Sequence, residues 1–103
     1  MNLIEYIDRQ IAFSNETFGP GHRTKGVLQH IRKELLEIEQ DPTDLMEWVD
    51  VIILALDGAW RAGYNAVAIC DALEYKLCKN VRRDWPDWRT MSEDQAIEHK
   101  RNS

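Results

Sequence analysis

The sequence predicts an all-α fold, a helical bundle of four main helices with a short fifth at the C-terminal end. Three observations lead there. Apolar residues recur at intervals of three and four, the period of one helical face. Glycine, proline and capping residues interrupt that period where helices would end. The tightest interruption, between the second and third helices, is short enough to make them antiparallel neighbours.

The first helix is expected over residues 3 to about 16, with Leu3, Ile4, Ile7 and Ile11 as its stripe and Glu5, Asp8, Arg9 and Gln10 on the polar side. Phe18-Gly19-Pro20-Gly21 breaks the pattern and reads as a loop, because proline neither donates a backbone bond nor continues a helix. The second helix runs from Thr24 to about Gln40, with Leu28, Ile31, Leu35 and Ile38 as its apolar stripe and His30, Glu34 and Glu37 on another face. His30 reads as a partly buried histidine with one satisfied hydrogen bond rather than a ligand.

Asp41-Pro42-Thr43-Asp44 restarts the helix, with Asp41 as expected N-cap, Pro42 in the first turn and Asp44 favoured by the helix dipole. This third helix is expected from Pro42 to about Ala62, closed by Gly63 in a left-handed conformation. Asp57 either joins an acid cluster or pairs with Arg61 four residues on, and the pair is the favoured reading. Asn65 caps a fourth helix, residues 66 to about 83, with Ile69, Leu73 and Leu77 as its buried stripe. Trp85-Pro86-Asp87-Trp88 reads as an aromatic loop whose indoles either cover the open end of the core or stack on a base, and core covering is the favoured reading. Ser92 with Gln95 forms a capping-box pattern for the last short helix, through about Lys100, after which Arg101-Asn102-Ser103 is expected to fray.

With 103 residues the chain is expected to form one domain, 1–103, large enough to bury a core that a second subunit completes. No uninterrupted apolar run is long enough to cross a bilayer, and the start MNLIEYIDRQ lacks the features of a secretory signal, so a cytoplasmic location is expected. Cys70 and Cys78, eight residues apart on one helix, stand about 12 Å apart at 1.5 Å per residue, too far for a disulfide. Both read as packed thiols. The net charge of −5 argues against general nucleic-acid binding, which needs a positive surface, but an acidic protein binds phosphates when a cation mediates.

The chemistry concentrates between Lys33 and Arg61. Glu34 and Glu37 form one pair of acids and Glu47 and Asp50 a second, each spaced three residues apart, so each pair leaves one helical face about one turn apart. Antiparallel packing makes all four converge, and converging like charges are costly unless a positive charge sits among them. A set of hard oxygen donors without cysteine favours magnesium, with manganese as substitute, over zinc. Acids at helical spacing are more often a solvated face. Here, however, Leu35, Leu36, Ile38, Val49, Val51, Ile52, Ile53, Leu54 and Leu56 leave the same helices apolar around much of their circumference. Beyond this stretch, Lys76, Asn80 and Arg83 form a row of donors on the fourth helix, and Arg23 and Lys25 stand at the exit of the Gly-Pro-Gly loop.

This ordered set resembles the MazG-like all-α nucleoside triphosphate pyrophosphohydrolases. Phe18-Gly-Pro-Gly, HIRKELLEIE from His30, EWVD from Glu47, ALDGAWRAG from Ala55, the Lys76 to Arg83 row, WPDWR from Trp85 and AIEH from Ala96 are similar to the phage and enterobacterial dATP/dGTP pyrophosphohydrolase branch. The resemblance implies magnesium-dependent hydrolysis of a purine deoxynucleoside triphosphate to a monophosphate and pyrophosphate. It implies Glu34, Glu37, Glu47 and Asp50 as metal ligands, with Glu37 or Glu34 also accepting the attacking water's proton. It further implies Lys76, Asn80, Arg83, Arg23 and Lys25 as substrate contacts, and a homodimer or higher homo-oligomer. The competing reading is a non-catalytic binding or adaptor module on the same fold. A di-iron bundle is disfavoured because no histidine stands three residues after a glutamate.

Overall fold

The helices begin and end where the chain supplies caps. A computed structural model describes residues 1–101. Among them are helices α1 (Leu3–Phe18), α2 (Thr24–Gln40), α3 (Leu45–Arg61) and α4 (Ala66–Arg82), a 3-10 turn at Trp88–Thr90, and no strand. The Asn2 side chain accepts from Glu5 N at 2.9 Å to open α1, and Asn65 accepts from Ala68 N at 2.9 Å to open α4. Gly63 follows the end of α3 with φ +114°, as expected. No described helix is long and apolar enough to cross a membrane.

The start of α3 differs from expectation. Asp41 does not cap it; its N–H donates to the carbonyls of Glu37 and Ile38 and so ends α2. Pro42 steers the residue before it away from the helical region, and Asp41 accordingly has φ −143°. The cap is Asp44, whose side chain accepts from Met46 N at 3.0 Å, so the helix starts at Leu45 rather than Pro42. Glu47 then lies in the first turn, where the dipole favours a carboxylate.

The residues fall into two compact units, Met1–Cys70 and the chain from Asp71 onward, with the boundary inside α4. In the first, α2 lies along α3, and α1 also packs on α3. Val27 faces Gly58 while Glu37 faces Glu47, so residues later in α2 meet residues earlier in α3. The pair is antiparallel. Ile7, 1% exposed, joins Ala66 and Ile69 in a small core packed by Ile11, Leu56 and Trp60.

Much of the apolar stripe predicted for burial stays at the surface. Leu3, Ile4, Leu28 and Leu35 are exposed, and on α4 Leu73 and Leu77 are exposed although Ile69 is buried. Cys70 is half-buried beside the core but Cys78 is exposed, so only one thiol is packed.

A buried cation fastens the loop after α1. Arg61, 6% exposed, donates from Nε to Asp57 at 3.0 Å, from one terminal nitrogen to the Gly19 and Gly21 carbonyls at 2.9 and 3.1 Å, and from the other to Ser14 Oγ at 3.0 Å. This confirms the Asp57–Arg61 pair and extends it across three segments. Gly19 and Gly21 have φ +86° and +97°, conformations that side chains rarely adopt, which lets both carbonyls turn toward the guanidinium. Burial disfavours charge on Asp57, but the Ser14 hydroxyl, the Trp60 indole and Arg61 outweigh it and hold its carboxyl below the usual carboxylate range.

From Asp71 onward the expected last helix does not form. Residues 92 to 100 contain no helix. The Ser92 hydroxyl instead accepts from Asp94 N at 3.2 Å, and Lys100 N donates to Asp84 O at 2.7 Å. A nine-residue segment carries the full cost of helix nucleation with few apolar residues to repay it, and serine offers its turn an alternative partner. The indoles of Trp85 and Trp88 are exposed rather than covering a core: Trp85 donates to Asn80 O at 2.7 Å and meets His99 edge-on, while Arg89 lies over Trp88. Of the C-terminal residues expected to fray, Asn102 and Ser103 lie outside the described residues.

Replacing Arg61 by leucine strips Asp57 of its charge partner and two carbonyls of their donor. The expected loss in urea unfolding is about 3–5 kcal/mol; a loss of a few tenths would show that the network is not needed for stability.

Candidate metal centre

The α2–α3 hairpin sets the register of the acids. With antiparallel packing, Glu37 near the end of α2 meets Glu47 near the start of α3, and Glu34, one turn back, comes toward Asp50, one turn on. One carboxylate oxygen from each of Glu34, Glu37, Glu47 and Asp50 lies within 4.8 Å of the others. All four sequence candidates for metal ligation are therefore brought together, and Glu34 is 7% exposed.

The electrostatics are those of too many negative charges in too little water. Glu37 is held below the usual carboxylate range, chiefly by hydrogen bonds from Glu34 and Glu47 and further by Lys33 and His30. Glu34 is pushed up, first by that bond to Glu37 and then by burial. Glu47 is pushed up to about 7 by the same two causes. Protons on the flanking acids thus hold the central carboxylate when no cation is present.

The geometry also fits a cation. Glu34 Oε2 and Glu47 Oε2 are buried and receive no hydrogen bond from an N–H or hydroxyl donor among the described residues. Magnesium bonds such oxygens at about 2.0–2.1 Å. Buried acceptors without donors are costly, and a hard divalent ion among oxygen ligands removes that cost.

Beside the cluster lies an open cavity of about 800 Å³, whose lining includes Glu34 and Asp50 on the acid side. Phe13 and Phe18, edge to face with centroids 6.1 Å apart, line it from α1. Arg23, His30 and Lys33 add basic groups. His30 is mostly exposed and pairs with Glu34 at 3.2 Å, outside the acid cluster. Lys25 is exposed and does not line the cavity. Lys76, Asn80 and Arg83 belong to the other unit, where Arg83 donates to Asn80 Oδ1 at 2.9 Å and Lys76 is exposed.

Sequence reasoning missed the contribution of α1. Gln10, which donates to Ile53 O at 2.9 Å, and Ser14 also line the cavity, as does Lys33 on α2. A signal was present: Phe13 lies off the Ile7–Ile11 stripe, an aromatic side chain with no predicted place in the core.

Comparison with known proteins agrees with this geometry. The family model for dATP/dGTP pyrophosphohydrolase matches residues 6–103. A solved structure, the cyanophage S-2L MazG-like pyrophosphohydrolase bound to dGDP and three catalytic Mn2+ ions per active site, superposes with a TM-score of 0.72 at 26% identity, covering 97% of this chain and 98% of the other. No curated protein sequence matches the chain.

The proton-holding acids give the metal-free protein a defined pH dependence. Glu34 and Glu47 bind protons more tightly folded than unfolded, so stability falls as pH rises between about 4.5 and 7; Glu37, shifted the other way, acts only below that window. Chelated protein is expected to melt at a higher temperature at about pH 5 than at about pH 8, and added manganese to raise the alkaline value more. Equal melting temperatures, or a larger gain in acid, would contradict this.

Proposed function

We propose magnesium-dependent, purine-selective hydrolysis for this chain, which belongs to the dATP/dGTP pyrophosphohydrolase family and is a dNTP pyrophosphohydrolase. The reaction converts dATP or dGTP to the monophosphate and pyrophosphate. The observation that carries the reading is the position of the acids: four carboxylates converge at the edge of a cavity large enough for a nucleotide. The family's name and the dGDP held by the cyanophage relative support a purine substrate.

Glu34, Glu37, Glu47 and Asp50 would hold the metal. A bound divalent cation supplies charge neutralisation for the leaving pyrophosphate and lowers the pKa of water. Magnesium suits the all-oxygen donor set, with manganese, present in the relative, as substitute. Water attacks the α-phosphorus, the bond to the bridging oxygen of the β-phosphate breaks, and the water's proton passes to a carboxylate. Glu37 is the proposed acceptor, with Glu34 beside it as the alternative, both being carboxylates of the cluster that would hold the cation. Arg23 and Lys25 at the start of α2, and Lys76, Asn80 and Arg83 in the other unit, are the proposed contacts for phosphate oxygens and sugar, supported by their donor chemistry.

The exposed apolar residues support a homodimer or higher oligomer. Leu45, Trp48 and Ile52 share one face of α3, and each is at least half exposed. The double substitution Trp48→Glu with Ile52→Lys is expected to convert the assembly to monomer in sedimentation velocity; a monomeric parent protein would contradict the reading.

A panel of dNTPs and NTPs with magnesium, scored for pyrophosphate against phosphate, tests the reaction. Pyrophosphate release, fastest with dATP and dGTP, is expected to fall at least about a hundredfold in Glu37→Gln. Absence of turnover, release of phosphate alone, or a fully active variant would overturn it.

A further inference from the structure

Arg61 has more in its surroundings than charge balance requires. A salt bridge to Asp57 satisfies the charge, yet the guanidinium also spends two hydrogen bonds on the carbonyls of Gly19 and Gly21. Those carbonyls bracket Pro20, in the turn joining α1 to α2. On either side of the bracket stand Phe18 and Arg23, and both line the cavity beside the acids. Arg61 does not line it. Its influence there passes through the loop backbone and through Ser14 and Asp57, which it bonds directly and which also line the cavity. The anchor is rigid at its far end as well, because Asp57 is itself held by Ser14 and Trp60.

We infer that Arg61 is a positioning residue for the nucleotide: by gripping Gly19 and Gly21 it fixes the turn between Phe18, the last residue of α1, and Arg23, just before α2, and so holds both at the substrate cavity. The inference rests on the cavity being the nucleotide site, as proposed above. Phe18 meets Phe13 edge to face, forming an apolar wall suited to a base, and Arg23 brings a cation suited to phosphate oxygens. The four acids sit on α2 and α3, outside this loop. Loosening the grip therefore weakens substrate binding more than it slows chemistry.

Arg61→Lys tests this, because lysine keeps one positive charge but a single ammonium cannot meet the four acceptors that Arg61 reaches from three nitrogens. Below its melting temperature the variant is expected to raise KM for dATP or dGTP about tenfold while kcat stays within about twofold. Trypsin cleavage after Arg23 should accelerate at least about tenfold, a readout that needs no turnover. Pro20→Gly, which loosens the loop without altering the buried side chains, should raise KM likewise, and combining it with Arg61→Lys should add less than the two separate effects. An unchanged KM in Pro20→Gly, a fall in kcat alone, or unaltered cleavage in folded Arg61→Lys would overturn the inference. Failure of the parent protein to release pyrophosphate would instead count against the proposed reaction, leaving the cleavage result to judge the loop.

Discussion

The structure must accommodate the mutual repulsion of four carboxylates. Two amphipathic helices joined by the short turn 41–44 pack antiparallel, and their spacing forces Glu34, Glu37, Glu47 and Asp50 within 4.8 Å of one another. Folding of the hairpin and assembly of the acids are therefore one event. The neutralising charge must come from elsewhere. In the protein alone it comes from protons, which Glu34 and Glu47 hold above their ordinary range and lend to Glu37. A cation fits the same gap, because two of the buried oxygens have no other donor.

A second buried charge, Arg61, solves the opposite problem. Its guanidinium is surrounded by acceptors, among them a carboxylate, a hydroxyl and two carbonyls. The acid cluster is left open to a ligand, whereas the arginine is closed by the chain itself. That contrast separates the part of the hairpin that exchanges partners from the part that holds the cavity wall in place.

The sequence revealed the acids because helical register is a local property: residues three apart on one helix share a face whatever surrounds them. Asn65 as a cap, Gly63 as a terminator and Asp57 with Arg61 were legible for the same reason, each resting on neighbours within four residues. Tertiary features were less legible. Asp41 and Asp44 are both acceptable caps, and only the restriction that Pro42 places on Asp41 decides between them. The apolar stripe of α4 predicts a buried face but not what covers it, and Leu73 and Leu77 remain exposed. The capping pattern at Ser92 competes with a turn that serves the same backbone groups, and the turn prevails. In the cavity, Gln10, Ser14 and Phe13 come from a helix far from the acids in sequence.

The account stands most directly on the claim that a cation displaces protons from this cluster. Calorimetric titration of the chelated protein with manganese at about pH 6, in buffers of different ionisation enthalpy, counts the protons released. The account predicts release of about one proton per site on binding, lost together with the binding when Glu34 and Glu47 are both changed to glutamine. Binding without proton release, or binding that survives the double change, would contradict it.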